Sequence, residues 1–329
     1  MDVEDLKRKV SVCIPTFNGA AYLSEAITSV LNQTLTDFEL IVVDDCSSDS
    51  TETVVKSFQD DRLTYYKNST RLGLVGNWNR CLELAKCEYV SIFHQDDVMA
   101  PENLGEKIRV LDEHPSVGLV FSQAQIVDGR GNPTRMFSGN TEIDNLQDGM
   151  GFFEQFFLKP NVICCPSVLV RKSCYEKLGR FDARLSYTCD CEMWMRICLF
   201  FDIAYIKEPL LKYREHDRNE SRNFYDHVKN LKEHLLFRIL ILDKFPQRIP
   251  AARELRRSVR REYSQQALSL ANHHYSHGRF DSAKALLKFS AEAFGPIVKQ
   301  DRFIRLSTKL LLGKQATEWT TRARRALQR

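Results

Sequence analysis

The chain has 329 residues, with 47 Lys+Arg against 43 Asp+Glu, 43% hydrophobic residues and 20 Phe. That mix excludes disorder as the main state and fits a soluble protein with two domains, or one domain and a substantial extension. Its most apolar stretches, such as 235–242 with Arg238 inside, fall short of the ~18 uninterrupted apolar residues a membrane span requires.

Residues 10–14 form a β-branched run that stops at Pro15, and 20–33 carry apolar residues at a helical period. A buried strand is expected at 39–43, ending in Asp44-Asp45, then a helix at 50–58 and a strand at 63–66. A helix at 75–86 leads to a strand at 89–93 that stops at His94-Gln95-Asp96-Asp97. Pro101 opens a helix to Glu113, a strand follows at 117–121, and Asp128-Gly129-Arg130-Gly131 marks a hairpin. Strands alternating with helices imply an α/β domain with a mostly parallel sheet flanked by helices, and ligands then bind at the carboxyl ends of the strands. Pro15-Thr16-Phe17, Asp44-Asp45 and Asp96-Asp97 all lie just past such ends.

Beyond Asp148 the pattern changes, with helices expected at 150–158, 173–178 and 190–200 and strands at 167–171 and 203–206. From Tyr225 only helical signals remain, at 225–243, 250–275, 280–294, 299–312 and 316–328. Residues 271–296 have the small-residue rhythm of one tetratricopeptide-like hairpin, too few repeats for a solenoid.

The ten cysteines suit a reducing compartment, since no apolar signal segment follows Met1. Cys164/Cys165 and Cys189/Cys191 are poorly spaced for one tetrahedral zinc ion. Residues 251–329 hold 17 basic and 6 acidic side chains, a net of +11 that leaves the remainder at −7. This asymmetry has two readings: a polyanion or anionic membrane near the tail, or a solvated helical face.

Paired acids at a strand end need a cation or hydrogen-bond donors to offset their repulsion. Mg²⁺ and Mn²⁺ prefer such oxygen ligands together with substrate phosphates, whereas a helix-capping Asp in a solvated loop gives the same text. Asp44-Asp45 reads either as an acceptor for a nucleobase or ribose, or as a cap. Asp190, at a helix start, reads as a cap or as a rigidly held general base. No GxGxxG or GxxxxGK[ST] occurs, which removes the main support for dinucleotide and P-loop sites.

The order of these motifs, VSVCIPTFNG, SVLNQT, FELIVVDD, HQDD, KLGRFD, DCEMW and YREH, resembles glycosyltransferase family 2, the inverting enzymes of GT-A fold, in a bacterial polysaccharide-type member. The resemblance covers about residues 8–222 and leaves the tail outside it. It implies a GT-A catalytic domain at 1–222, with a nucleotide-binding half near 8–125 and an acceptor-side half at 126–222, and a basic helical extension at 223–329. Pro15, Thr16, Phe17, Asp45 and Asn79 would bind the nucleotide, and Asp96 the ribose or sugar. Asp97 and His216 would hold Mg²⁺ or Mn²⁺ on the diphosphate, and Asp190 would be the catalytic base. Two departures stand out. The family often has Asp-x-Asp-Asp where this chain has His94 first, and Cys81 and Cys87 replace common glycines.

The implied activity is hexosyl transfer from a nucleotide sugar, a UDP-sugar first, to a hydroxyl of a glycan or lipid-linked acceptor in cell-envelope polysaccharide synthesis. The alternatives are a sugar nucleotidyltransferase, which would want a Gly-rich basic loop after the first strand, and a non-catalytic sugar-nucleotide-binding scaffold. The expected location is the cytoplasm, with the tail either lying on the inner face of the cytoplasmic membrane or packing against protein. No nucleic-acid-binding motif is present. Donor and acceptor specificity is expected in the loops at 138–149 and 161–166.

Overall fold

The computed structural model describes residues 8–137, 146–219 and 226–311. The predicted helix at 316–328 and most of the 138–149 loop lie outside the described residues. The chain divides into two compact units, 1–219 and 220–329.

In the first unit, β1 (Val10–Thr16), β2 (Phe38–Asp44), β3 (Leu63–Lys67) and β4 (Tyr89–Ile92) alternate with α1 (Leu23–Leu31), α2 (Thr51–Lys56) and α3 (Gly73–Leu84). They pair in parallel in the order β3-β2-β1-β4, with Val10 opposite both Phe38 and Tyr89. The central strands β1 and β2 are rich in Val, Ile and Leu and almost wholly buried because both faces are covered, whereas the edge strand β3 is only half-buried. Helix α1 shows why: Leu23, Ala26, Ile27 and Val30, at helical spacing, are all buried against the sheet. Each such side chain contributes roughly 1.5–3 kcal/mol on burial.

After β4 come β5 (Val98–Met99), α4 (Asn103–Glu113), β6 (Val117–Val127), β7 (Pro133–Met136), β8 (Leu146–Gln147), α5 (Gly149–Phe156), β9 (Val168–Arg171), α6 (Lys172–Leu178), α7 (Cys189–Cys198) and β10 (Asp202–Arg214). The sheet has ten strands and runs β3-β2-β1-β4-β9-β6-β10-β5. Strand β9 is antiparallel to both β4 and β6, while β6 and β10 are parallel. The sheet is thus parallel through its nucleotide-side strands and mixed beyond them. The hairpin expected at 128–131 joins β6 to β7.

Strand β10 is the largest departure from the expected elements. It runs 13 residues, through Pro209, where the pattern suggested a strand only at 203–206. Register shifts against β6 at Ile206/Pro209 and Pro209/Leu211 let the ladder pass a residue with no N–H to donate. The strand then delivers Arg214 to the carboxyl end of the sheet.

The second unit contains α8 (His227–Lys244), α9 (Ala252–Ser276), α10 (Phe280–Ala293) and a helical stretch at 301–311. Asp226 caps α8, its carboxylate accepting from the Val228 N–H at 2.9 Å. Helices α9 and α10 form a hairpin through Gly278, whose φ of 74° suits glycine. Their close approach is fixed by reciprocal bonds: the Ser264 hydroxyl donates to the Ser290 carbonyl at 2.7 Å and the Ser290 hydroxyl to the Ser264 carbonyl at 2.8 Å. No described helix is long and apolar enough to cross a membrane.

Candidate active site

The ends of β1, β2 and β4 are laced together by side chains. Gln95, just past β4, accepts from the Thr16 hydroxyl at 2.5 Å and from the Phe17 N–H at 3.0 Å. Gly19 leaves the space for this contact, since a Cβ there would collide with the Gln95 amide. The Asp45 N–H donates to the Thr16 carbonyl at 2.8 Å. Asn18 and Cys46 follow β1 and β2 with φ of 49° and 66°, a conformation that non-glycine residues adopt at a cost and that concentrates at functional loops. The Asn18 N–H donates to the Ser47 hydroxyl at 2.8 Å, and its side-chain oxygen accepts from the Ser48 N–H at 2.9 Å.

Asp45 is buried, and its carboxylate shapes the next loop. It accepts from the Leu72 N–H at 2.7 Å, the Gly73 N–H at 2.8 Å and the Asn68 amide at 3.0 Å. That loop presents Arg71, whose guanidinium stacks 3.8 Å over the Phe17 ring. Phe17 and Arg71 therefore meet in one partly open face, and sequence reading did not single out Arg71. Pro15 lies within β1, opposite Val43.

Asn79, expected at the nucleotide, is bonded through its amide to the Phe181 backbone. Its amide donates to the Phe181 carbonyl at 3.0 Å and accepts from the Phe181 N–H at 3.0 Å. Phe181 in turn packs edge-on against Trp78, and Trp78 lies 5.6 Å from the His94 ring. Asn79 thus supports the platform under His94. Its neighbour Asn77 belongs to the Asp45 network, accepting from Asn68 at 2.9 Å.

The centre of the site is the turn after β4. Ligand atoms of His94, Asp96 and Asp97 lie within 4.8 Å of one another. Asp97 is 1% exposed; one of its oxygens accepts from the Arg214 N–H at 2.8 Å. Among the described residues the other forms no hydrogen bond but lies 3.6 Å from Nδ1 of His94, and Nε2 of His94 forms none either. Burial, and then the adjacent Asp96 charge, hold the Asp97 carboxyl well above the usual carboxylate range. Burial pushes the His94 imidazole below its usual value, which keeps it neutral and able to ligate. A buried carboxylate oxygen without a hydrogen bond, beside an imidazole favoured in its neutral form, fits a divalent cation. His216, expected to hold the cation together with Asp97, lies against Asp96. The His216 ring meets Asp96 at 2.8 Å through Nε2, while the Arg218 N–H donates to its Nδ1 at 3.1 Å. The proton therefore sits on Nε2, pointing at Asp96, and both ring nitrogens are in use. The imidazole clustered with Asp96 and Asp97 is that of His94, and His216 bonds the Asp96 carboxylate.

Arg214 joins these parts. Besides its backbone bond to Asp97, its guanidinium donates to the Asp96 carbonyl at 2.9 Å and to Glu25 at 2.6 Å. It also lies 4.9 Å over the Tyr22 ring, and Tyr22 packs 4.7 Å from His216.

Asp190 sits in the first turn of α7, 9% exposed, with one oxygen accepting from the Cys191 N–H at 2.7 Å. Burial raises its carboxyl to about 6. Two residues on, Glu192 is spent on structure, forming a buried 2.5 Å pair with Arg196. The Cys164 thiol, pushed up first by burial, is raised further by the charges of Asp97 and Asp190. Lys107 of α4 acts on that thiol in the opposite sense. Burial lowers the Lys107 ammonium to about 7, and it donates to Asn103 at 2.8 Å. Nothing in the amphipathic pattern of α4 marks Lys107 for this position.

The profile of the family described as Glycosyl transferase family 2 matches residues 11–179. An uncharacterised glycosyltransferase of Methanocaldococcus jannaschii is 30% identical over 232 residues, 69% of this chain and 76% of that one. The match to the Campylobacter jejuni GalNAc(5)-diNAcBac-PP-undecaprenol beta-1,3-glucosyltransferase is 37% over 134 residues, 40% of this chain and 42% of that one. Among solved structures, Staphylococcus aureus TarS 1–349 with UDP-GlcNAc superposes with a TM-score of 0.61 at 18% identity, covering 88% of this chain and 85% of that one. The Pyrobaculum calidifontis mannosyltransferase PcManGT, with GDP-Man and Mn²⁺, gives a TM-score of 0.55 at 19% identity, covering 95% and 83%. These two likenesses concern the fold, which is GT-A. With the family profile spanning the strand ends where these carboxylates gather, the chain belongs to glycosyl transferase family 2 and is a glycosyltransferase.

Proposed function

We propose that the protein is an inverting glycosyltransferase that moves a sugar from a nucleotide sugar, a UDP-sugar first, to a hydroxyl of a glycan or lipid-linked acceptor. The observation that carries this reading is the cluster of His94, Asp96 and Asp97 at the carboxyl end of β4, whose ligand atoms lie within 4.8 Å of one another, with one buried Asp97 oxygen that forms no hydrogen bond among the described residues. Asp97, Asp96 and His94 are the residues to hold a divalent cation, Mn²⁺ or Mg²⁺. Such a cation neutralises charge that develops on the leaving diphosphate. Phe17 and Arg71 offer a stacking face for the base, in a loop braced by Asp45. Thr16 lines the same strand end.

Asp190 takes the proton of the acceptor hydroxyl. The hydroxyl oxygen bonds to the anomeric carbon as the bond from that carbon to the donor phosphate breaks, and the electron pair leaves with the nucleoside diphosphate. One displacement from the opposite face inverts the anomeric centre. A base whose carboxyl titrates near 6 is largely ionised at neutral pH and still basic enough to assist, an effect of typically ~10²–10⁴-fold. His216 and the Arg214 backbone hold Asp96 and Asp97 in place.

The UDP preference draws on the sugar nucleotide named for TarS; the PcManGT complex keeps GDP-sugars as the rival donor. The lipid-linked acceptor draws on the undecaprenol substrate named for the Campylobacter relative. On this reading the enzyme works in the cytoplasm, at the inner face of the membrane where such acceptors are built. The test is a panel of nucleotide sugars with and without Mn²⁺, read by thermal shift and then by NMR of the product anomer. One donor is expected to stabilise the native state in a Mn²⁺-dependent way and to give a product of inverted configuration. Retention of configuration, or no metal-dependent donor binding across the panel, overturns the proposal.

A further inference from the structure

Helix α9 opens with Arg253, Arg256, Arg257 and Arg260, spaced i, i+3, i+4, i+7 and so on one face. Within the second unit these four side chains line a groove of about 310 Å³, closed on the other side by Ala293, Phe294, Gly295 and Pro296. Arg260 fixes one wall: its guanidinium donates to the Ala293 carbonyl at 2.7 Å and the Glu292 carbonyl at 3.2 Å, at the carboxyl end of α10. Arg256 pairs with Asp243 of α8. Among the described residues, Arg253 and Arg257 have no carboxylate partner. The other acids nearby are Glu254, exposed on α9, and Glu292, which faces Lys288 at 3.9 Å.

A guanidinium cannot shed its proton to relieve repulsion. Three of these arginines also stand in the first two turns of α9, beside the positive end of the helix dipole. Four fixed cations stand against Asp243, the exposed Glu254, Glu292, which faces Lys288, and two backbone carbonyls, which leaves the groove net positive. The guanidinium fork matches phosphate oxygens in pairs, and a groove of this size takes a phosphorylated headgroup.

We propose that this groove binds a phosphate or diphosphate group, with Arg253 and Arg257 as its free ligating pair. The group is either carried on an anionic lipid headgroup or is a soluble phosphate compound. The proposal does not depend on the reaction inferred above.

The full chain is titrated calorimetrically with inorganic pyrophosphate in EDTA, which removes divalent cations from the carboxylate site. The same titration is run on Arg253→Gln/Arg257→Gln and on Lys284→Gln/Lys288→Gln, which removes equal charge from exposed positions of α10. Binding is expected to weaken about tenfold or more in the arginine variant and less than about twofold in the lysine variant. Flotation with phosphatidylglycerol and with phosphatidylcholine vesicles then separates the two sources. Loss of phosphatidylglycerol binding in the arginine variant alone assigns the group to a lipid headgroup. Pyrophosphate binding with no flotation assigns it to a soluble compound. Equal losses in both variants, or no pyrophosphate binding to the parent chain, overturn the proposal. Circular dichroism melts confirm that each variant is folded.

Discussion

Asp96 and His216 meet at 2.8 Å across 120 residues of chain. The imidazole donates to a carboxylate of the proposed cation cluster, a second layer whose loss typically costs 10–100-fold in metal affinity or activity. His216→Ala should therefore raise the Mn²⁺ concentration for half-maximal transfer by about 10–100-fold, with a smaller change at saturating Mn²⁺. A uniform loss at every Mn²⁺ concentration would mean that His216 acts on something other than Asp96.

Asp97 is expected to trade stability for function. Its unpartnered oxygen and its raised carboxyl make the ionised form unfavourable without a cation. Mn²⁺ should raise the melting temperature of the parent protein. Asp97→Asn should melt higher than the parent in EDTA, show no Mn²⁺ shift, and lose transfer. A Mn²⁺ shift that survives Asp97→Asn takes this residue out of the ligand set.

For Asp190 the pH dependence has a definite sign. The ionised form is the base, so transfer should fall about tenfold per pH unit below about 6 and level off above it. Because the folded value lies above the unfolded ~3.9, the stability linked to this group is full below that value and is lost as pH rises through about 6. Asp190→Asn should then be more stable than the parent at pH 8 by up to about 3 kcal/mol, retain donor binding, and lose transfer. An acid limb that persists in Asp190→Asn places the titrating base elsewhere.

Gln95 and Gly19 form one joint. Gln95→Ala frees the Thr16 hydroxyl and the Phe17 N–H at the nucleotide end, and should raise the donor KM while kcat changes little. Gly19→Ala forces the Gln95 amide aside and should reproduce that KM effect, with about 1–3 kcal/mol of destabilisation from overpacking. Donor titrations and urea melts of the two variants test the equivalence. Unrelated effects would separate the residues.

The α/β architecture was legible because the central strands, buried on both faces, read as apolar runs, and two of them, at 39–43 and 89–93, ran into paired acids. The acids at 44–45 and 96–97 stood out by that position, and Asp190 by its place at a helix start. What escaped depends on partners distant in sequence. Gln95 reads as an ordinary loop amide until Thr16 and Phe17 close on it. His94 reads as a departure from an acidic motif, and only the fold sets its ring beside Asp97, on the Trp78 surface. Pro209 hid the second half of β10, since a proline in a strand argues against the strand unless bulges flank it. Asn79, singled out by its place in a family helix, has an amide that clamps the Phe181 backbone, a partner 102 residues away that sequence reading does not reveal.

Arg214 has a further consequence for recombining this enzyme with its relatives. Its backbone N–H holds the Asp97 carboxylate, and its side chain holds the Asp96 backbone carbonyl and Glu25, so the last residue of β10 fixes the turn that carries both acids. A chimera that imports a foreign acceptor-side segment inherits that segment's strand end. The crossover must preserve the alignment of the imported strand at this residue, or the carboxylates of the host half lose their brace however well the graft itself folds.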